Sequence, residues 1–443
     1  MSEINILELD EILSNNRCAF LCGNGFSMNF DDDFRNIFER LYESHKKVIY
    51  KSIFDINPKV KNKILKSQYK KNFNNILSYT RNFNEKQFYK IFDDGLKFAE
   101  TIITNDSLLN QIKDNELIRE LVFGENQLTM LKELYNVGKN YGVRSINIEY
   151  WPILIYFYFA IYLLNPSDYE FPECNSFITL IKVGSEDMIN LTQQNTLMER
   201  CEDFVYSSGF NNYYRMLFSI AIFSEGKHLN LSNLNNIKNL NADKIKCFLS
   251  KYEEIFTLNY DILLEKLMTN REIHHLHGKF IINEKEYVYN QTLGMEFGDG
   301  DYVSFSNILV GDYLINKTMR QIINNLSQKY DYNKKEESYK KILENTIKNK
   351  NLDTFVIFGM NIQNDQHILR TLMTGFFFAN IINPTIVYCY FSEEDKLSFK
   401  KTFDSVITFG DELSNYSRNI NLKFIKTPEL LNVYFKNTIT ELN

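Results

Sequence analysis

The sequence predicts an α/β protein in which a parallel sheet is interrupted by a large α-helical insertion. Short β-rich runs occur at residues 18–22 (CAFLC), 254–258 (EIFTL), 273–276 (IHHL), 354–358 (TFVIF), 385–391 (TIVYCYF) and 422–426 (LKFIK). Helical stretches separate most of them, which is the alternation of a parallel sheet covered by helices on both faces. Between about residues 36 and 250 the apolar residues recur instead at three- and four-residue spacing, as in FRNIFERLYESH and MLKELYNVGKN, the period of amphipathic helices. The length of 443 residues also exceeds the size at which one hydrophobic core usually keeps growing. The expected organisation is a discontinuous sheet domain from residues 1–35 and 251–443, with residues 36–250 as the helical insertion.

Taken in order, the first run, CAFLC, breaks into Gly23-Asn24-Gly25-Phe26-Ser27. Two glycines at a strand end permit positive φ and a close backbone approach, so the stretch is expected to be a loop. Such a loop either aims amides at a phosphate group or simply makes a tight turn. Asp31, Asp32 and Asp33 follow before Phe34 and Arg35, and one of these aspartates is expected to cap the helix FRNIFERLYE. Within the insertion, WPILIYFYFAIYLL at residues 151–164 is uncharged and strongly apolar, yet shorter than the roughly 20 residues of a spanning helix. With Pro152 at its start, where a helix tolerates proline, it reads as a buried helix.

The run EIFTL ends at Thr257-Leu258 and is followed by Asn259 and Asp261 at the start of an amphipathic helix. Polar side chains at the carboxyl end of a strand lie where open α/β sheets place their ligands, although an Asx-turn with a helix cap would explain one of the two. HHLHG then holds His274, His275 and His277, half of the six histidines. His277, before Gly278 at another strand end, suits a general base, whereas His274 and His275 read as satisfied structural histidines. No carboxylate or cysteine ligand set lies nearby in sequence, so no metal is expected. The segment KYDYNKKEESYKK, residues 329–341, reads as an exposed loop opening into a helix, and TFVIF leads into Gly359-Met360-Asn361 with Asp365 close behind.

Composition narrows the function classes. With 44% hydrophobic and 15% aromatic residues, the chain carries enough apolar surface to offset the entropy of ordering. Its 50 basic and 56 acidic residues leave a net charge of -6, which provides no global field favouring nucleic acid or an anionic membrane. The six cysteines are scattered without a Cys-x-x-Cys pair, so neither a zinc ribbon nor a dithiol site is expected. The start, MSEINILELDEI, lacks the basic and apolar regions of a signal peptide, and the cytoplasm is the expected location.

These pieces together resemble the sirtuin superfamily of NAD-binding proteins. The family's Gly-Ala-Gly-x-Ser loop and Pro-Asp-Phe-Arg are similar to Gly23-Asn24-Gly25-Phe26-Ser27 and Asp33-Phe34-Arg35. Its Thr-Gln-Asn-x-Asp is similar to Thr257-Leu258-Asn259-Tyr260-Asp261, its His-Gly to His277-Gly278, and its later Gly-Thr-Ser to Gly359-Met360-Asn361, all in the same order. The zinc ribbon of the protein deacylases is absent, Asn24 replaces the usual alanine, and the NDQHI element carrying Asp365 is closer to a divergent bacterial branch that includes NAD hydrolases of anti-phage defence.

The resemblance implies a Rossmann-like, sirtuin-like sheet and NAD as substrate, without a metal. It implies that Asn259 orients water or the nicotinamide ribose, that Asp261 fixes the carboxamide or Asn259 itself, and that His277 accepts a proton from a ribose hydroxyl. Gly23 to Ser27, Asp33 to Arg35, Thr257, Gly278, Gly359, Asn361 and Asp365 are implied to line the NAD site. Without the zinc module that helps form a peptide groove, water is the simplest acceptor, so the implied reaction is hydrolysis to nicotinamide and ADP-ribose. An NAD or ADP-ribose sensor, or a deacylase or ADP-ribosyltransferase using the same site, are the competing expectations. A defence enzyme that destroys NAD must be restrained until infection, and the helical insertion is the expected place for that restraint, through a homo-oligomer or a trigger protein.

Overall fold

The computed structural model describes residues 2–30, 37–50, 55–56, 63–118, 120–122, 125–148, 150–185, 196–223, 239–259, 261–277, 281–282, 294–296, 302–304, 339–362, 365–406 and 411–437. Asp33, Phe34, Arg35 and Gly278 therefore lie outside the described residues, as do Asp31, Asp32, Tyr260 and residues 329–338.

The chain divides into two units, one made of Met1–Arg35, Glu225–Lys279 and Glu337–Asn443, the other of Asn36–Ser224 and Phe280–Glu336. The expected boundaries shift in two places. Residues 225–250 join the sheet unit, in which Phe248 of the helix Ala242–Leu249 packs edge-on against Phe20 at 5.9 Å. Residues 280–336 join the helical unit, because the strands Ile281–Ile282, Gly294–Glu296 and Tyr302–Ser304 pair antiparallel with one another and with Asp55–Ile56.

The sheet unit holds seven parallel strands: β1 (Ser2–Glu3), β2 (Cys18–Cys22), β3 (Glu254–Thr257), β4 (His274–His275), β5 (Thr354–Phe358), β6 (Thr385–Tyr390) and β7 (Asn421–Lys426). Their spatial order is β1-β7-β6-β5-β2-β3-β4. From β2 the chain moves outward through β3 to β4, then returns to the other side of β2 and moves outward through β5, β6 and β7. This is the doubly wound order of dinucleotide-binding sheets with a short strand added at one edge, and its switch point lies between β2 and β5. β2 and β5 are buried at every position, so they read as continuous apolar runs rather than alternating ones.

Helices cover both faces. Phe20 and Phe358 face Phe248 and Phe435, at the ends of α3 (Ala242–Leu249) and the C-terminal helix Thr427–Tyr434, while α1 is Ile6–Asn15 and α2 the single turn Asn24–Ser27. On the opposite face Phe355 packs against Phe256 at 5.6 Å and against Phe376 of the helix Gln366–Phe378 at 5.6 Å. Tyr388 stacks on Phe399 of the helix Glu393–Val406 at 3.9 Å.

In the helical unit, Pro152–Leu164 is the expected buried helix: its first ten residues are buried, and Trp151 beside it packs edge-on against Phe92 at 4.9 Å. Among the described residues no helix is long and apolar enough to cross a membrane. Asn84 and Asn126 form capping boxes that satisfy the first amides of the helices Glu85–Ile103 and Gln127–Tyr141.

Candidate functional site

The strand register draws the candidate residues together. Phe358, Cys22, Thr257 and His275 pair in succession across the sheet, forming one transverse row at the carboxyl ends of β5, β2, β3 and β4. The segments expected to carry chemistry leave the sheet immediately after this row. Their convergence is a consequence of parallel pairing: 235 residues separate Cys22 from Thr257, yet the Cys22 thiol donates to Thr257 Oγ1 at 3.4 Å. Burial pushes the Cys22 thiol well above its ordinary range, so it serves as a thiol donor there.

From that row a hydrogen-bonded chain runs through Asn259, Ser27 and Asp261. The backbone amide of Asn259 donates to Thr257 Oγ1 at 3.1 Å, and its side-chain Nδ2 donates to Ser27 Oγ at 2.9 Å. Ser27 Oγ in turn donates to Asp261 Oδ2 at 2.6 Å, and Asp261 Oδ1 accepts the Leu263 amide at 3.0 Å. The Asx-turn expected for one of the pair Asn259 and Asp261 is thus present at Asp261, at the start of the helix Leu263–Leu267, but it uses only one of the two carboxylate oxygens.

This chain fixes the orientation of Asn259. A serine hydroxyl has one hydrogen, and here it is directed to the carboxylate. The lone pair facing Asn259 must then accept, which turns the amide nitrogen towards Ser27 and leaves Asn259 Oδ1 pointing away. Asn259 is 3% exposed, and its Oδ1 is buried with no hydrogen-bond partner among the described residues. A buried acceptor without a donor costs about 1–3 kcal/mol, so its retention calls for an explanation.

The opening glycines have a different role from the expected one. Asn24–Ser27 forms a single helical turn rather than an open loop, and Gly23 lies at φ -111, in ordinary extended backbone. Positive φ therefore does not explain these glycines; close packing does. A Cβ on Gly25 would lie 2.6 Å from Gly359 Cα, and one on Gly23 would lie 2.8 Å from Gly359 O. The strained conformation occurs at Gly359, with φ +59, where a Cβ would meet Gly25 Cα at 2.6 Å. Gly23 N donates to Phe358 O at 3.0 Å and Gly25 N to Gly359 O at 2.8 Å, extending the contact between β2 and β5 past the strand ends. The Gly25 amide is therefore already engaged by the protein and is not a donor awaiting a phosphate. Phe26 is fully buried, in edge contact with Phe358 at 6.2 Å and Phe435 at 5.9 Å, so it belongs to the core.

His274 Nε2 donates to Glu254 Oε2 at 3.0 Å, and the ring stacks on Phe256. His275 touches the polar chain, with Nδ1 on Asn259 O at 2.8 Å and Nε2 on Glu265 Oε1 at 2.9 Å. His277 lies half-buried in the turn after β4, two residues past the strand and one after Leu276, whose amide donates to Thr257 O at 2.9 Å. Across the switch point, Asn361 is exposed and Asp365 precedes the helix Gln366–Phe378, its amide donating to Asn361 O at 3.1 Å. Glu265 carried no sequence signal beyond its place four residues after Asp261, one helical turn on. Among the described residues, no group of three His, Cys, Asp or Glu side chains is placed to hold a metal ion.

The fold and this site define a doubly wound parallel α/β protein with a polar cluster at the carboxyl ends of its central strands. Compared with protein-family profiles, with curated proteins and with solved structures, the chain matches none of them.

Proposed function

We propose that this chain is a sirtuin-like NAD+ glycohydrolase that cleaves NAD to nicotinamide and ADP-ribose, acting as a cytoplasmic effector of abortive infection in bacterial antiviral defence. One observation carries the enzymatic reading: the buried Asn259 Oδ1, without a partner among the described residues, beside the switch point of a sheet with dinucleotide-binding strand order. An acceptor held in this way suits a ligand that brings a hydrogen-bond donor, such as a ribose hydroxyl or an attacking water.

Loss of nicotinamide leaves the ribose as an oxocarbenium-like cation, as in other glycosyl transfers. Asn259 would position the ribose or the water, its amide plane held by Ser27 and Asp261. Asp261 acts on Asn259 through Ser27 in this scheme, the second of the two roles implied for it. His277 would take the proton as general base. The turn Gly23 to Ser27 and the segment Gly359 to Asp365 would flank the dinucleotide at the switch point, with the Gly25 amide committed to Gly359. The defence role rests on the resemblance of the motifs, as does the proposal that the helical unit restrains activity through self-association or a trigger protein.

The test is to incubate purified protein with NAD, with and without EDTA, and quantify nicotinamide and ADP-ribose. Stoichiometric release of both, indifferent to EDTA, is the expected result. NAD binding without release would instead identify a sensor, and transfer of ADP-ribose or an acyl group to protein would identify the transferase or deacylase reading.

A further inference from the structure

We infer that His275 and Glu265 form a positioning pair that sets the direction of the Asn259 side chain; the inference rests on the proposed role of Asn259 in NAD cleavage. A carbonyl oxygen only accepts hydrogen bonds, so the 2.8 Å contact between His275 Nδ1 and Asn259 O requires the ring hydrogen on Nδ1. The second nitrogen, Nε2, faces Glu265 Oε1 at 2.9 Å; a carboxylate oxygen also only accepts, so this nitrogen donates as well, and the two bonds together fix the rotation of the ring about its Cβ–Cγ bond and keep Nδ1 on the carbonyl. The His275 side chain is only 4% exposed, against 27% for Glu265, so water competes little for the ring.

The consequence falls on Asn259. Its amide is held by Thr257 Oγ1 and its carbonyl by His275, so both peptide groups flanking its Cα are tied to side chains of neighbouring strands. Thr257 and His275 are themselves register partners, which makes the two anchors one rigid unit. With the Cα–Cβ direction set by the backbone and the amide plane set by Ser27, Oδ1 has a single orientation. Fixing a group in this way matters in catalysis because a misplacement of about 1 Å can cost on the order of 10²-fold in rate.

The test compares His275→Asn, whose amide nitrogen can occupy the place of Nδ1, with His275→Leu, which removes the donor, and adds Glu265→Ala at the more accessible end of the pair. For each, kcat and KM for NAD are measured per folded molecule, and the crystal structure is determined. His275→Leu should lower kcat by about 10- to 100-fold with little change in KM, as expected for a group displaced from the reacting centre. Glu265→Ala should lower it less, and His275→Asn should restore most of the rate. In the crystal structures Asn259 Nδ2 should remain on Ser27 Oγ in His275→Asn and leave it in His275→Leu. A lowered melting temperature with unchanged kcat, or an unmoved Asn259 in His275→Leu, would overturn the inference. If the wild-type protein cleaves no NAD, the hydrolase reading fails, and the positioning pair is then judged by the position of Asn259 in the variant structures.

Discussion

Replacing Gly25 by alanine would put a Cβ 2.6 Å from Gly359 Cα, 3.0 Å from Gly359 O and 3.1 Å from Gly359 C. All three atoms are backbone, so no side chain can rotate away, and relief requires the segments after β2 and β5 to separate. Overpacking of this kind costs about 1–3 kcal/mol. Separation also weakens the 2.8 Å bond from Gly25 N to Gly359 O, which adds roughly 0.5–1.5 kcal/mol. The combined loss is about 1.5–4.5 kcal/mol, and in a unit of about 200 residues a mid-range loss of about 3 kcal/mol lowers the melting temperature by roughly 6–12 °C. Scanning calorimetry of the full chain measures it. Gly375→Ala is the matched control: its new Cβ meets the Ile347 Cδ1 atom at 2.6 Å, the far end of a flexible side chain. A gain of about 1 kcal/mol in helix propensity there offsets the rotamer shift, so little change is expected. A Gly25→Ala variant melting within about 2 °C of wild type would refute the reasoning, since it would mean that the backbone contact with Gly359 yields at little cost.

The other predictions concern the polar cluster and one buried histidine. Asn259→Ala removes the orphaned acceptor and the donor to Ser27, and NAD turnover should disappear while the protein stays folded; retained turnover in a nicotinamide-release assay would reduce Asn259 to a capping role. His277→Ala should slow NAD cleavage by about 10²- to 10⁴-fold while leaving affinity within a few-fold, as calorimetric titration would show, and unchanged turnover would remove it from the mechanism. His45 is fully buried, with Nδ1 2.7 Å from the Tyr213 hydroxyl and Nε2 3.3 Å from Phe83 O, and burial pushes its pKa down to about 4. Its folded pKa lies below the unfolded value of about 6.5, so its contribution is complete above pH 6.5 and is lost as pH falls towards 4, by roughly 3 kcal/mol. Melting curves between pH 4 and 7 should show that loss in wild type and a flatter profile in His45→Gln; equal pH dependence in both would disprove it.

The sequence by itself determined the local elements. The runs at residues 18–22 and 354–358 are strands over the same residues, and the apolar stretch after Trp151 is a buried helix with proline in its first turn. Apolar periodicity and turn residues act over a few neighbours, so they are visible in one dimension. Strand order, register and unit boundaries required the tertiary structure. Residues 280–336 belong with the helical unit because one of their strands, Gly294–Glu296, pairs with residues 55–56, and no local pattern near either segment encodes that pairing. The same limit applied to the site. The sequence singled out Asn259 and Asp261 by residue type and place at a strand end, and Ser27 through the motif resemblance, but only parallel pairing across more than 200 intervening residues shows Ser27 bridging the other two. The glycines were visible, while their cause was not: Gly23 and Gly25 are small because Gly359, more than 300 residues away in the chain, occupies the space that a side chain would need. His275 and Glu265 were hidden for a related reason, since an imidazole becomes a positioning group only when folding brings a carbonyl to one nitrogen and a carboxylate to the other.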